Sequence, residues 1–518
     1  MTMTSSHSRN WTLAAAILGS SMAFIDGTVV NIAIPVLQRS LGVTVSDAQW
    51  IVDAYLLVLS SLTLAGGALG DHLGRRKVFA IGIATFAAAS AVCGAAANAQ
   101  QLIAARALQG LGAALLVPGS LAIITATFPA GERGRAIGTW SSLTSLGVIA
   151  GPLFGGWLVQ TVSWRAVFYI NLPIAAITLL IVWFSMSPDR AAEEPGRIDW
   201  GGTLLVTIAL AALTFGMIEA PSRGMRSSLV IGSLLLGTIA FVAFVALERR
   251  IESPIMPLTL FRSRVFSGAN LLTLLLYAAL STVTFLLPFN LIQVQHYSPS
   301  QAGAAFLPFV VTMTILSRWT GGLADRFGPR LPLTVGPLLA CCGFILLACP
   351  SIGGSYWMTF FPGVLTLGLG MATTVAPLTT TVMTSFGEEK HAGAASGINN
   401  TVARAAGLLS IALFGALCIM IFAPALDTRL ASAGASPALR QAMAAQRLRL
   451  AEAKPPATLD AGERARVSAA VDQAFVRAFR ISMLTAAALA ALSAVGALVI
   501  GRPASTAGGH ARSGISSG

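Results

Sequence analysis

The sequence predicts an all-α polytopic membrane protein: fourteen transmembrane helices, arranged as two six-helix bundles plus two inserted spanners, with both termini cytoplasmic. Three observations carry that prediction. Of the 518 residues, 55% are apolar and only 10% charged, whereas a soluble chain averages about 25% charged residues. Fourteen runs each reach the roughly 20 mostly apolar residues needed to cross a hydrocarbon core of about 30 Å. A short glycine and aspartate pattern that follows the second run returns after the tenth.

In chain order the runs cover 11–34, 50–70, 78–97, 102–127, 137–159, 166–186, 200–219, 228–247, 266–290, 302–322, 331–349, 357–382, 399–422 and 480–500. The first continues past Asp26 to Pro35, too long for the apolar region of a signal peptide, so it is expected to be an uncleaved spanner. An even count places both termini on one side. Seventeen lysines and arginines fall on that side, among them Arg75, Arg76, Lys77, Arg249 and Arg250. The short loops opposite carry only Arg39, Arg165, Arg223 and Arg226. Positive residues stay inside, so the termini are expected to be cytoplasmic. The net charge of +13 therefore reports membrane orientation. Its basic residues are scattered between apolar runs and form no patch for nucleic acid.

The expected organisation is an N-terminal six-helix bundle over 1–187, the two inserted helices and their cytoplasmic linkers over 188–262, and a C-terminal six-helix bundle over 263–501. Residues 502–518 read as a disordered cytoplasmic tail. The second bundle includes a long extracytoplasmic loop, 423–479, rich in alanine and arginine and broken at Pro455 and Pro456. Asp460 and Glu463 resemble a capping box, and Val467, Val471, Ala474, Phe475 and Ala478 follow helical spacing. Two short, solvated amphipathic helices are expected there, the second leading into the last spanner.

Several chemistries are excluded by what the chain lacks. Cys93, Cys341, Cys342, Cys349 and Cys418 form no C-x-x-C pair, and the five histidines are isolated, with no H-E-x-x-H. Neither a zinc site nor a disulfide framework is indicated, so no metal or cofactor is expected. Lys77, Lys390 and Lys454 are preceded by Arg, Glu and Ala. No G-K-[ST] occurs, hence no Walker A loop, and ATP is excluded as the direct energy source.

An ion gradient then needs a titratable group inside the membrane. Asp26 is the deepest carboxylate, although a charge at the bilayer centre costs about 2.5 to 3.5 kcal/mol even on insertion scales. Nine residues separate it from Pro35, about 13 Å at the helical rise, and Arg106 lies about 8 Å below the same surface. The two can therefore meet. Three readings stand: Asp26 as a proton and substrate-coupling carboxylate, a permanent Asp26–Arg106 ion pair, or an unpaired Asp26 with Arg106 snorkelling outward. Asp53, less than a turn into the second run, reads as interfacial, with a secondary coupling role as the alternative. Arg404 on the thirteenth run is either part of an inner gate or a packing residue.

"GGALGDHLGRRK" after run 2 and "GGLADRFGPR" after run 10 share G-x-x-x-D-x-x-G, with Gly67, Asp71, Gly74, Arg75 and Arg76 in the first and Gly321, Asp325, Arg326 and Gly328 in the second. An echo between halves indicates a parallel repeat. With "IDGTVVNIAIP", "LIAARALQGLGAA", "GVIAGPLFGGW", "WRAVFYINLP", "IDWGG" and "SGINNTVARAAG", the chain resembles the major facilitator superfamily, specifically its fourteen-spanner drug:proton antiporters of the EmrB/QacA type. The resemblance covers nearly the whole chain and implies the major facilitator fold and no enzymatic activity. It further implies proton-driven export of small lipophilic drugs, antibiotics or toxic metabolites by a multi-pass plasma membrane protein that functions as a monomer. Expected partners are the small lipophilic substrate, protons and the lipid bilayer. The same resemblance makes Asp26 and Arg106 the proton-coupling pair and the two loops cytoplasmic gates. It makes Gly147, Gly151, Pro152, Gly155 and Gly156 an antiporter motif whose kinked helix seals the bundle interface. Glycines at i, i+4 and i+8 give that helix one smooth face, and Pro152 removes a backbone hydrogen bond. Phe24, Trp140, Phe285, Phe289 and Phe306 are candidates to line an adaptable cavity. Export of one endogenous metabolite, import of a nutrient, and more remotely a membrane sensor are the alternatives; substrate identity is not legible.

Overall fold

The computed structural model of the chain describes residues 5–186, 198–252, 254–320, 328–385 and 389–499, and these are helices joined by turns. The long helices of the first half are α1 (Ser5–Leu41), α2 (Val45–Leu73), α3 (Arg75–Ala95), α4 (Ala99–Thr127), α5 (Ala130–Thr161) and α6 (Asn171–Ser185). A hairpin of α7 (Trp200–Arg223) and α8 (Ser228–Glu248) follows. The second half holds α9 (Arg264–Phe289), α10 (Leu307–Thr320), α11 (Arg330–Ala348), α12 (Phe361–Thr384), α13 (Glu389–Ser432) and α14 (Ala461–Val499). Short turns lead into several of these, notably Pro299–Ala304 before α10. Among the described residues thirteen helical stretches are long and apolar enough to cross a membrane, and α5 stands outside that set. The protein is an all-helical, multi-pass membrane protein.

Packing repeats between the halves. In the first, α4 packs on α2 and α3, α1 on α5 and α6, and α3 on α6. In the second, α12 packs on α10 and α11, α9 on α13 and α14, and α11 on α14. Advancing each number by eight converts one set into the other. Lipid tails are as apolar as leucine, so close backbone approach does much of the holding. A Cβ on Gly112 of α4 would press on the Phe86 backbone of α3, and one on Gly343 of α11 on the Leu367 backbone of α12.

The repeat extends to two seams between the bundles. The Pro299–Ala304 turn packs on α5, and α13 packs on α2. The α7–α8 hairpin lies over one seam only, with α7 against both α2 and α13.

In the 423–479 segment the second helix runs on into the last spanner, and the apolar side of the segment is packed on the protein. Helix α13 runs to Ser432 and α14 begins at Ala461, leaving a short helix, Pro437–Ala444, and a 3-10 turn, Arg447–Glu452. Met443 and Leu450 are buried in the same core as α1 and α2. The Arg39 Nε donates to Glu452 Oε2 at 2.6 Å, and Gln38 Nε2 to the Arg449 carbonyl at 3.2 Å. Its apolar face thus closes over the end of α1 and is no free amphipathic surface. The 502–518 tail lies outside the described residues.

Candidate transport site

Five elements of the first bundle bring their polar side chains to one point. Asp26 of α1 is fully buried, as is Arg106 of α4. Arg106 Nη1 donates to Asp26 Oδ2 at 2.5 Å and to Gln109 Oε1 at 2.7 Å, while its Nε donates to the Ile51 carbonyl of α2 at 3.0 Å. The other carboxylate oxygen, Oδ1, accepts from Gln109 Nε2 at 2.8 Å and from Asn171 Nδ2 of α6 at 3.4 Å. Ser90 of α3 accepts from Asn171 at 3.0 Å and donates to the Phe168 carbonyl at 2.8 Å. The guanidinium lies over the Tyr55 ring, 4.3 Å from its centroid. Every oxygen of the buried carboxylate is therefore met, as a charge held away from water requires.

Charge depth made the Asp26–Arg106 contact legible from the sequence, and this conformation holds the pair closed, not snorkelled apart. Gln109, Asn171, Ser90 and Tyr55 were missed. Gln109 had a signal: three residues after Arg106, it shares that residue's helix face.

Asp53 lies further along its helix than the apolar run implies. The capping box of Thr44 and Asp47 starts α2 at Val45, so Asp53 lies about 12 Å along the helix at its normal rise. It is fully buried, and both carboxylate oxygens lack a hydrogen-bond partner among the described residues. Gln49, one turn earlier on the same face, donates to the Ile411 and Ala412 carbonyls of α13 at 2.7 and 3.1 Å. Asp53 thus sits on the face of α2 turned to the other bundle. Across that seam, Arg404 lies within electrostatic reach of Tyr55. It forms no ion pair with a described residue, while Asn399, on the same helix, donates to Thr273 of α9 at 2.7 Å and to Asn270 at 3.1 Å.

In the first gating loop Arg75 pairs with Asp71 at 2.9 Å and donates to the Ala122 carbonyl of α4 at 3.1 Å. Arg76 donates to the Trp183 carbonyl of α6 at 3.1 Å. Gly74, at φ 95°, makes the turn, a conformation that side chains with a Cβ rarely adopt. A Cβ on Gly67 would meet Pro118 at an ordinary 3.5 Å; the close approach to α4 falls instead at Gly66, against the Ala114 carbonyl. In the second loop Gly328 has φ 75°, and Gly321, Asp325 and Arg326 lie outside the described residues.

The glycine motif of α5 divides between two neighbours. Cβ atoms on Gly147, Gly151 and Gly155 would press on Ile25, Thr28 and Val29 of α1, the residues that flank Asp26. Gly156 meets the Pro299 carbonyl of the second bundle, and Gly303 meets the Pro152 carbonyl in return. One helix therefore touches both the helix that carries Asp26 and the opposite bundle. Of the aromatic candidates, Phe285, Phe289 and Phe306 are buried in the core, Phe306 beside a crevice of only about 20 Å³, and Trp140 Nε1 donates to Ser20 at 3.1 Å.

Two pseudo-symmetric bundles with charge buried inside one of them define a membrane transporter. The chain belongs to the Major Facilitator Superfamily, whose profile matches residues 16–411. It is 33% identical to a tetracenomycin C resistance and export protein of Streptomyces glaucescens, over 95% of this chain and 91% of that one. It is 34% identical to the multidrug resistance protein Stp of Mycobacterium tuberculosis, over 84% and 80%. A crystal structure of a bacterial homologue of the human lysosomal transporter Spinster shares the fold, with TM-score 0.65 and 19% identity over 95% and 98% of the two chains.

Proposed function

We propose that this protein is a proton-coupled antiporter that exports lipophilic drugs, antibiotics or toxic metabolites across the plasma membrane, working as a monomer. The observation that carries the reading is the buried Asp26–Arg106–Gln109 network. The resistance and export proteins among its relatives support the direction and the class of substrate. In this reading the chain has fourteen spanners, with α5 as the fourteenth. Its 32 residues are ample for a core of about 30 Å, and none from Ala136 to Thr161 is charged. The excess of Arg and Lys on the α2–α3 side supports a cytoplasmic position for that face and for both termini.

Proton and substrate alternate through the ion pair. A proton arriving at Asp26 Oδ2 neutralises the carboxylate and removes the charge that holds Arg106 Nη1. The guanidinium keeps the Ile51 carbonyl and the Tyr55 ring, so it moves without becoming wholly unpartnered. Because α5 packs on the residues flanking Asp26 and on the second bundle, a shift in α1 reaches the seam through one helix. Asp53 and Arg404, facing each other's bundles, are secondary coupling groups.

Asp26→Asn tests this. The amide cannot exchange a proton, so gradient-driven uphill export in proteoliposomes should be lost while downhill movement persists. A purely structural pair predicts otherwise: stranding Arg106 costs about 3 to 5 kcal/mol of stability, and Arg106→Gln added to Asp26→Asn restores both protein and coupled transport. Substrate-dependent proton release is the measurement, and its persistence in Asp26→Asn removes Asp26 from the proton path.

A further inference from the structure

The α7–α8 hairpin takes no part in the repeat, yet it encloses space. Where α7 crosses the α2–α13 seam there is a cavity of about 560 Å³ walled by both bundles, the hairpin and the linker that follows it. This lies within the volume range of drug-sized ligand sites, about 300–1,000 Å³. Its back wall is Leu210 of α7 and Phe244 of α8, both buried, while Phe241 of α8 and Leu271 and Leu274 of α9 are exposed at its rim. Leu271 and Leu274 fall about 10 to 15 Å from the start of α9 at the helical rise, and that start is on the α2–α3 side. The mouth therefore opens to hydrocarbon in one leaflet, the cytoplasmic one in the orientation proposed above.

Among the described residues, no Asp, Glu, Lys or Arg lines this cavity. Its polar side chains are already engaged: Ser60 and Ser61 donate to the Leu56 and Leu57 carbonyls, and Thr401 to the Gly397 carbonyl. Asn270 donates to the Phe266 carbonyl and accepts from Asn399. A charged guest would be stranded without a partner. The inner wall is the seam itself. Ser60 follows Tyr55 by five residues, about 8 Å of helix, and Arg404 lies between Val402 and Ala405, which line the wall. A guest in the cavity is thus one step from the residues that face each other across the seam.

We propose that this cavity is a lateral antechamber in which an uncharged lipophilic substrate is captured from the inner leaflet before passing between α2 and α13. The proposal rests on the export reading for its direction and adds the route and the charge class of the substrate. The inserted hairpin supplies the wall opposite the seam, which the bundles alone would lack.

The test uses the purified full-length protein and two probes. An uncharged aryl-diazirine photoprobe, mapped by mass spectrometry, should mark the rim residues and the linker around Met256. Leu210→Trp at the back wall and Leu274→Trp at the mouth should each cut that labelling at least severalfold. In inverted vesicles both should raise the half-saturating concentration of Nile red by about tenfold with the maximal rate little changed, as expected when access and not turnover is lost. Leu274→Trp, at an exposed position, keeps the test open if Leu210→Trp does not fold. Labelling spread evenly over lipid-facing helices, or abolished by excess phospholipid but untouched by Nile red, makes this an acyl-chain pocket and overturns the proposal. So does Nile red export by either variant with wild-type saturation. If the cavity labels with Nile red competition but no protein moves the dye, the site stands and the export reading falls.

Discussion

The two seams between the bundles are related by the internal repeat, yet they are closed by different physics. At the seam of α5 with the Pro299–Ala304 turn, Gly156 and Gly303 each abut a carbonyl of the opposite bundle, with no side chain between. At the seam of α2 with α13, Gln49 reaches across to two carbonyls, Asp53 lies buried on the same face, and a third element covers the outside. The first resembles a zip, rigid and intolerant of added volume. The second is a polar contact with adjustable space beside it. Symmetry in the chain path thus leaves room for a division of labour: one seam is packed backbone to backbone, and the other, on the proposal above, admits substrate.

The sharpest way to break this comparison is to add volume at the first seam. In Gly303→Leu the new side chain overlaps the Pro152 carbonyl, and overpacking of about 1 to 3 kcal/mol should lower transport by about fivefold to 150-fold. Size-exclusion chromatography should still show folded protein, and normal rates at equal protein would end the zip picture. A smaller loss is expected at the second seam. Gln49→Leu removes hydrogen bonds worth about 1 kcal/mol net, a roughly fivefold shift between closed and open forms. Cysteine accessibility along α13, measured with and without substrate, reads that shift directly. The smallest effect belongs to the cap over the end of α1. Glu452→Gln breaks an ion pair whose Arg39 side is half-exposed, so transport should change by less than about twofold. What should vanish is sensitivity of the rate to sodium chloride.

Hydropathy made the helices legible because burial in lipid demands long apolar runs, and the same demand made one charge conspicuous. Asp26 and Arg106 could be matched from helix rise alone. Uncharged polar residues leave no such trace: Asn171 and Ser90 sit in apolar runs at little hydropathic cost, although they complete the network. Asp53 was misplaced because the apolar run begins several residues inside the helix, whose true start is set by Thr44 and Asp47. The 423–479 segment, rich in alanine and arginine, reads as amphipathic, but composition carries no information on what its apolar face covers. Larger apolar residues, Met443 and Leu450 among them, decide where it packs. The division of the α5 glycines between two partners depends on which neighbours arrive, and periodicity carries no information on that.

Leu450 has a further consequence. Its backbone, at φ 51° and ψ −127°, occupies a region suited to glycine, and its side chain is fully buried in the cap. His296, the other non-glycine residue with positive φ among those described, ends the turn that continues α9 on the same side of the protein. Such conformations cost about 1 to 3 kcal/mol each and persist only where packing overrules them. That tension is held only as long as the cap stays packed on the end of α1. A tenfold change in population needs only about 1.4 kcal/mol, so strain at a single leucine is enough to weight the packed cap about tenfold against an arrangement that frees it.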